Sequence, residues 1–194
     1  MSTSNHRAAA LFDPPSSPPP GATDGVPAYI PVITSADVNE TSADVILECI
    51  SRDGSQYVFG VPGSAITPMY RSLQRKHAGM RHILAKHEAG AGFMAYGYAR
   101  VRRSIGVTMT TTGPGGINAL TPAACGLADG VPMMFLTGQN ATSYYGRSAL
   151  QDSTALGADM VGLYRHVTKL SCAVPSASVA RDVVERAVAL AHVG

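Results

Sequence analysis

Short apolar runs alternate along most of the chain with longer segments in which apolar residues recur every three or four positions. The apolar runs lie at 56–63, 80–86, 104–112, 131–138 and 168–174. Their near-continuous apolar character is typical of strands that are buried on both faces of a parallel sheet. The sequence therefore predicts a single α/β domain over residues 33–194, with helices on both faces of the sheet.

The segments between these runs predict helices, because their apolar residues fall on one face. The predicted helices lie at 35–54, 65–79, 87–102, 117–130, 154–167 and 176–194. In the first of them, Val45, Ile46 and Cys49 share a face, and Gly54 follows as a helix terminator. The polar stretch 139–153 predicts a loop.

Residues 1–32 follow a different pattern, because Pro, Ser and Gly dominate and no apolar period appears. This composition is typical of a disordered arm. Its proline runs would also suit a protein module that recognises polyproline helices, and the sequence leaves this alternative open.

Charged residues make up only 14% of the chain, against roughly 25% in an average globular domain. This shortage predicts that part of the surface is buried against a partner chain. The formal net charge of +2, without a basic run, gives no support for nucleic-acid binding. No apolar stretch is long enough to cross a membrane, and the N-terminus lacks the pattern of a secretory signal.

Three widely spaced cysteines, Cys49, Cys125 and Cys172, stand in apolar surroundings. They form no CxxC pair and no Cys/His cluster, so the sequence predicts buried thiols rather than a zinc site or a disulfide framework. A reducing cytoplasm suits such a chain best.

The candidate site residues directly follow the predicted strands, because ligands of parallel α/β sheets bind beyond the carboxyl ends of the strands. They are 61–64, 87–88, 111–115 and 137–139. Three of these four stretches contain glycine, which lets another molecule approach the backbone closely. Only one of them contains an acid, Glu88.

Glu88 stands between an apolar strand and a helix rich in small residues. A favourable interaction with the dipole at the helix N-terminus would be reason enough for a carboxylate here. The apolar and small neighbours also predict a half-buried carboxyl group, which suits proton exchange with a ligand. Both interpretations stay open on position alone. His87 is expected to point elsewhere, because adjacent residues do not share a face.

The GPGG stretch at 113–116 precedes a predicted helix, as a phosphate-binding loop does. It does not meet the dinucleotide fingerprint G-x-G-x-x-G, because Asn118 replaces the third glycine, and no Walker motif occurs. A tight strand-to-helix turn with Pro114 in its first helical turn also explains the pattern. Such a turn can present its backbone to a flat ring.

Small residues cover nearly the whole surface of the predicted helix 87–102. They are Ala89, Gly90, Ala91, Gly92, Ala95, Gly97 and Ala99. Glycine costs roughly 1 kcal/mol relative to alanine inside a helix, so three glycines need a reason. Close approach of a second helix is the simplest one. That helix could belong to another subunit or to the same domain.

Five sequence blocks resemble, in order and spacing, the pyrimidine-binding N-terminal domain of thiamine-diphosphate-dependent enzymes of the acetolactate synthase, pyruvate oxidase and sulfopyruvate decarboxylase type. The blocks are FGVPGSAITPMY, HEAGAGFMAYGYAR, TTGPGGIN, DGVPMMFLTG and ALQD. The resemblance covers about residues 40–190. It implies an enzyme that decarboxylates a 2-oxo acid and then protonates the resulting carbanion or ligates it to an acceptor.

The resemblance also implies roles for individual residues. Glu88 would hydrogen-bond a ring nitrogen of the cofactor's aminopyrimidine and stabilise its imino tautomer, which then removes the proton from the thiazolium carbon. Gln151 would face the reacting centre as a second catalytic group. The other residues that the resemblance places at the cofactor are Val61, Pro62, Gly63, Ser64, Thr111, Pro114 and Asn118.

The chain departs from the family pattern on the substrate side of the site. Val61 replaces an aromatic residue that often precedes the Pro-Gly pair, and Leu150 replaces the usual phenylalanine. Thr112 replaces the usual serine, and the loop NATSYYGRS is not standard. The sequence therefore leaves open which 2-oxo acid and acceptor are used, and whether the enzyme is a decarboxylase or a carboligase.

The family holds the cofactor's diphosphate through Mg²⁺ on a second domain that carries a G-D-G motif and, after a spacer, an Asn pair. No G-D-G occurs in this sequence. The resemblance therefore implies a split enzyme with thiamine diphosphate and Mg²⁺ as cofactors. A separate diphosphate-binding subunit would hold the Mg²⁺ in an α2β2 assembly, and this chain would supply no metal ligand.

A second hypothesis is a non-catalytic or regulatory homologue that assembles with such an enzyme. Glu88 argues against it, because a site without turnover has no chemical need for this carboxylate. A third, a nucleotide-binding α/β protein, is disfavoured by the missing fingerprints.

Overall fold

The computed structural model describes residues 9–10, 40–76 and 79–193. The described strands are β1 (Ala9–Ala10), β2 (Tyr57–Gly60), β3 (Arg81–Leu84), β4 (Gly106–Thr110) and β5 (Met133–Thr137). The described helices are α1 (Ser42–Arg52), α2 (Thr67–Lys76), α3 (Glu88–Arg102), α4 (Pro114–Asn118), α5 (Leu120–Asp129), α6 (Met160–Arg165) and α7 (Ala177–His192). Short 3-10 turns lie at Ser64–Ile66 and Thr142–Tyr144.

The described strands form one parallel sheet in the order β1-β5-β4-β2-β3. In the middle of the sheet, Val58 of β2 is in register with His82 of β3 and Val107 of β4. The chain passes from β2 outward to β3 and then crosses back over β2 to form β4. The strand order thus reverses between β2 and β4, and the ligand crevice of such sheets opens at this switch point.

Each face of the sheet packs against helices. Successive side chains of a strand point to opposite faces and therefore belong to two different core clusters. Val58, Val107 and Met134 pack into one core cluster with α1, α2 and α7. Phe59 and Phe135 pack into a second cluster with α3, α5 and α6. The predicted α/β domain, with a parallel sheet covered on both faces, is confirmed.

The helix α1 begins at Ser42, and part of its predicted range, 35–39, lies outside the described residues. Its start is fixed by a capping box, because the Thr41 side chain accepts from the Asp44 backbone N–H and the Asp44 carboxylate accepts from the Thr41 backbone N–H. The buried Asp44 carboxylate also accepts from the Ser72 hydroxyl at 2.5 Å, which ties α1 to α2.

The predicted strand at 168–174 is wrong. None of its residues joins the described sheet, and side chains tie the segment to neighbouring helices instead. Thr168 Oγ1 donates to the carbonyl of Tyr164 at 2.6 Å, and Lys169 Nζ donates to the carbonyl of Leu190 at 2.9 Å. The buried residues of this segment therefore contribute to the core without a strand ladder.

Two predicted helices differ from the observed ones. The helix predicted at 117–130 is interrupted by Ala119, which separates α4 from α5. The helix predicted at 154–167 is reduced to α6, because Asp159 accepts from the backbone N–H of Gly162 at 3.1 Å and so caps a helix that starts late.

The small residues of α3 lie on two faces of the helix, one packed against α5 and one open. Gly92 packs on α5, and a Cβ atom at this position would lie 2.2 Å from Cγ of Pro122. Gly90 and Gly97 have open space around the position of a Cβ atom. The close approach of a second helix therefore occurs within the domain at Gly92. An interface with another subunit stays a prediction for the face of Gly90 and Gly97.

The predicted arm, 1–32, lies outside the described residues except for Ala9 and Ala10, which pair with Met134 and Phe135 of β5. Among the described helices, none combines the length and the apolar character that a membrane span requires.

Among the described residues, Cys49, Cys125 and Cys172 form no disulfide bond. Cys49 is buried in the core, and burial raises the pKa of its thiol. Cys125 and Cys172 are only half-buried. The prediction of fully buried thiols therefore holds for Cys49 alone.

Replacing Gly92 by Ala is expected to lower the free energy of unfolding by about 1–3 kcal/mol, because the new methyl group would overlap the Pro122 ring. The matched Gly97→Ala variant is expected to raise it by about 1 kcal/mol, because this position is open and alanine is the better helix former. Urea denaturation of both variants measures the difference. Equal effects would contradict the packing of α3 on α5.

Candidate functional site

The loops that follow β2 and β4 meet at the switch point of the sheet. A Cβ atom on Gly63 would lie 2.5 Å from Cβ of Thr111. A Cβ atom on Gly115 would lie 2.8 Å from Cγ2 of the same threonine. The contact between the two loops therefore depends on glycine at position 63, and the close packing within the loop after β4 depends on glycine at position 115, because a Cβ atom at either position would collide with Thr111.

Glu88 is the first residue of α3, and only 9% of it is exposed. Its Oε2 atom accepts a hydrogen bond from Nδ2 of Asn118 at 2.9 Å. Its Oε1 atom has no hydrogen-bond partner among the described residues, and it lies beside Gly115, where a Cβ atom would come within 3.2 Å. One carboxylate oxygen is thus held in place, and the other faces a stretch of bare backbone.

The dipole of α3 favours a carboxylate at Glu88, but the dipole alone does not explain the arrangement. His87 already caps the helix, since its Nδ1 atom accepts from the backbone N–H of Ala89 at 3.2 Å. A carboxylate that served only the dipole would gain more from remaining hydrated, because burial removes its water ligands. The burial of Glu88 and its hydrogen bond to another helix indicate a second role.

The turn after β4 brings Asn118 to Glu88. Gly113 has a φ angle of +57°, which residues with side chains rarely adopt, and Pro114 then starts α4. One and a half turns later this helix ends at Asn118. The GPGG stretch is therefore a tight strand-to-helix turn that positions a side chain.

Gln151 lies on the far side of the same turn. Its φ angle is +55°, and its carbonyl oxygen accepts from the hydroxyl of Thr112 at 3.1 Å. A Cβ atom on Gly113 would lie 3.0 Å from this carbonyl oxygen. The loop after β5 thus folds back onto the turn after β4 and leaves the Gln151 side chain exposed.

The predicted site residues fall into two groups. Asn118 bonds to Glu88 directly, Thr111 is connected to it through Gly115, and Gly63 packs on Thr111. Gln151 contacts the turn after β4. The remaining predicted residues occupy the rim: Val61 is half-buried against the core beneath α3, whereas Pro62, Ser64 and Pro114 are exposed.

Sequence reasoning placed Thr112 and Gln139 among the candidate residues that follow strands, but it missed Ser153, which connects them. Thr112 and Ser153 share a hydrogen bond between their buried hydroxyl groups, and Ser153 also donates to Oε1 of Gln139. Nothing in the sequence indicated Ser153, because its partner lies 41 positions away.

Several exposed apolar side chains surround this edge of the sheet or lie on the outer face of α3. They are Leu84, Phe93, Met94, Ile117 and Leu150. Leu150, which directly precedes Gln151, is 85% exposed. Leu84, the last residue of β3, is 67% exposed. Within the described residues, no group of three or more His, Cys, Asp or Glu side chains is arranged to hold a metal ion.

Residues 40–159 match the family model for the thiamine pyrophosphate enzymes, N-terminal TPP binding domain. The chain belongs to this family. Thiamine pyrophosphate is another name for thiamine diphosphate, so the resemblance carried by the five sequence blocks is confirmed. The matched residues include Glu88, Asn118 and Gln151.

Curated relatives of this thiamine pyrophosphate enzyme domain are acetolactate synthases. The chain is 41% identical over 146 residues to the mitochondrial acetolactate synthase catalytic subunit of Saccharomyces cerevisiae. It is 34% identical over 154 residues to the acetolactate synthase large subunit of Haemophilus influenzae, and 38% identical over 136 residues to that of Corynebacterium glutamicum.

These alignments cover 75%, 79% and 70% of the chain, but only 20%, 26% and 21% of the respective relatives. The chain thus spans between a fifth and a quarter of the length of the relatives it matches. What it shares with them is the domain that contains Glu88.

The hydrogen bond between Glu88 and Asn118 can be tested by replacing the amide with a second carboxylate. An Asn118→Asp substitution would place two carboxylates within hydrogen-bond distance, and it is expected to lower the free energy of unfolding at pH 7 by about 1–3 kcal/mol. The loss should shrink at pH 5, because protonation of one carboxylate removes the repulsion. Urea denaturation at both pH values measures it.

The control is the double variant Glu88→Gln/Asn118→Asp, which restores one amide and one carboxylate with their positions exchanged. It should recover most of the lost stability at pH 7. A double variant as unstable as the sum of the two single variants would contradict the contact.

Proposed function

We propose that this domain binds the pyrimidine ring of thiamine diphosphate and activates the cofactor in an enzyme that decarboxylates a 2-oxo acid. The remaining group is then passed to a proton or to an acceptor. A separate diphosphate-binding subunit holds the other end of the cofactor through Mg²⁺, in an assembly of the α2β2 type. The family and the names of the relatives support this reaction class, and we expect the complex to work in the cytoplasm.

The observation that carries the proposal is the asymmetric environment of the Glu88 carboxylate. Asn118 occupies Oε2, whereas Oε1 has no protein partner among the described residues. Among the described residues, the fully buried side-chain polar atoms without a partner are Ser104 Oγ and Thr108 Oγ1, and Glu88 Oε1 is not one of them. Oε1 is therefore left without a protein partner but not sealed off, and an N–H group of a ligand could bind to it. The arrangement therefore fits a flat heterocycle that presents a ring nitrogen to Oε1.

The glycines beside Glu88 fit the same ligand. Gly63 and Gly115 leave no side chain between the two loops, so a ring can approach the backbone there. When bound, thiamine diphosphate supplies a thiazolium carbon that adds to the ketone of the 2-oxo acid and accepts the electrons released with CO2.

The chain's own contribution is to exchange a proton with the ring at one defined atom, Oε1 of Glu88. Because the Asn118 amide donates to Oε2, proton exchange with the ring nitrogen is directed to Oε1. Burial of Glu88 at the start of α3 limits competition by water. In this proposal Gln151, on the other side of the turn after β4, contacts the substrate rather than the ring.

A partner chain is supported by the surface around the site. Leu84, Ile117 and Leu150 are exposed at the carboxyl edge of the sheet, and Phe93 and Met94 extend the apolar surface along α3. Exposed apolar clusters of this kind mark interaction sites. Only 14% of all residues are charged, which agrees with a surface that is partly covered.

A Glu88→Gln variant, combined with the diphosphate-binding partner, is expected to lose turnover by at least about 100-fold, because the amide cannot exchange a proton with the ring. A second readout is the rate of deuterium exchange at the thiazolium carbon of the bound cofactor, measured by NMR, which should fall in parallel. The matched control is Glu185→Gln, which changes an exposed carboxylate on α7 and should leave both rates unchanged.

Full turnover and full exchange in Glu88→Gln would disprove the mechanism. Stable assembly without turnover in the wild-type complex would instead favour a non-catalytic homologue.

The chain alone is expected to bind thiamine diphosphate weakly, because the proposed Mg²⁺ and diphosphate site lies on the partner. Calorimetric titration with thiamine diphosphate and Mg²⁺ measures this affinity, first on the chain and then on the complex. Tight, Mg²⁺-dependent binding by the chain alone would contradict the separate diphosphate-binding subunit.

A further inference from the structure

A buried network of hydroxyl and amide groups anchors the loop that carries Gln151. Thr112 Oγ1 contacts the Gln151 carbonyl oxygen at 3.1 Å and shares a hydrogen bond with the hydroxyl of Ser153. Ser153 Oγ in turn contacts Oε1 of Gln139. Thr112 and Ser153 are each only 2% exposed, so water does not replace these bonds.

The directions of these hydrogen bonds follow from counting hydrogens. The backbone N–H of Asn140 donates to Oε1 of Gln139 at 3.1 Å, which fixes this atom as an acceptor. Ser153 must therefore use its single hydrogen on Gln139. The hydroxyl of Thr112 then supplies the only hydrogen between Ser153 Oγ and the Gln151 carbonyl, and it is shared between the two.

The backbone at Gln151 needs such an anchor. Its φ angle of +55° lies in the left-handed region, which is unfavourable for a residue with a side chain. The preceding residue is also tied, since Nδ2 of Asn140 donates to the carbonyl of Leu150 at 3.2 Å. Yet residues 141–148 and Leu150 and Gln151 are all exposed, so few packing contacts can hold the loop in place.

We propose that Thr112 and Ser153 are positioning residues that hold Gln151 in its left-handed conformation beside the Glu88 site. The inference rests on the proposed function, because it assigns Gln151 to the substrate side of that site. Neither Thr112 nor Ser153 touches the cofactor or the substrate in this account. They act through the backbone of Gln151.

Trypsin cleavage after Arg147, an exposed residue of the same loop, reports release of the loop without any assay of activity. Thr112→Val keeps the shape of the side chain and removes its hydroxyl, and cleavage after Arg147 is expected to be about fivefold faster, as the loss of about one hydrogen bond predicts. Thr112→Ser keeps the hydroxyl and should be cleaved at nearly the wild-type rate.

The matched control is Thr168→Val, which removes another buried hydroxyl, bonded to the Tyr164 carbonyl at 2.6 Å. It should not accelerate cleavage after Arg147. Ser153→Ala provides a second, smaller change if Thr112→Val does not fold, and it should accelerate cleavage in the same direction. Wild-type cleavage rates in both Thr112→Val and Ser153→Ala would overturn the anchor.

The second arm uses the complex with the diphosphate-binding partner. Thr112→Val and Gln151→Ala should lower kcat/KM for the 2-oxo acid by a similar factor, and the double variant should be no worse than Gln151→Ala alone. Affinity for thiamine diphosphate should stay unchanged, since Glu88 is intact. Thr112→Ser should restore kcat/KM, which a loss of stability alone would not explain.

The two proposals fail in different ways. If Glu88→Gln abolishes turnover whereas Gln151→Ala and Thr112→Val leave kcat/KM unchanged, the proposed function stands and the positioning role is overturned. If Glu88→Gln leaves turnover intact, the proposed function fails, and with it the catalytic purpose of the anchor. Faster cleavage after Arg147 would then support the anchor only as a structural feature.

Discussion

The site depends on keeping one carboxylate buried at the end of a sheet without satisfying it completely. Burial of Glu88 is costly, and the hydrogen bond from Asn118 offsets part of that cost. The fold supplies this donor by a tight turn, and Gly115 places no side chain at Oε1. A second protein donor at Oε1 would stabilise the carboxylate further, but it would occupy the atom that the proposed function assigns to the ligand. Under that proposal, hydrogen bonding within the protein and ligand binding compete for one oxygen.

The topology explains why these groups meet. The strand order reverses between β2 and β4, so the chain continues from these two strands to helices on opposite faces of the sheet, and a crevice opens where the two loops begin. Thr111 lies in that crevice against Gly63, and the turn that follows it starts α4, which delivers Asn118 to the first turn of α3. The parallel sheet thus brings residues of the connections after β2 and β4 toward Glu88, which lies in the connection after β3.

Local rules made the strands β2 to β5 and the helix α3 predictable, because each is a continuous apolar run or a long helical segment with a clear end. They failed at 168–174, where apolar residues are buried against helices through side-chain bonds rather than by a strand ladder. They failed again at Ala119, because a break between two small-residue helices leaves no mark in an apolar pattern. Glu88 and the glycines could be found from their positions after strands. The contact between Thr112 and Ser153 could not, because it joins residues 41 positions apart and depends on how a polar loop folds back.

The two halves of the site differ in how they are held, and the difference has a physical reason. Glu88 and Asn118 lie on helices that belong to the packed part of the domain, so the fold itself fixes the distance between their side chains. Gln151 sits on an exposed loop with an unfavourable φ angle, and hydrogen bonds from Thr112 and Asn140 to this segment oppose its release. Among the departures from the family pattern, Thr112 and Leu150 lie at this second half, whereas Val61 is half-buried against the core beneath α3. Under the proposed function, changes in the loop that carries Gln151 would alter contacts with the substrate without moving the Glu88 carboxylate.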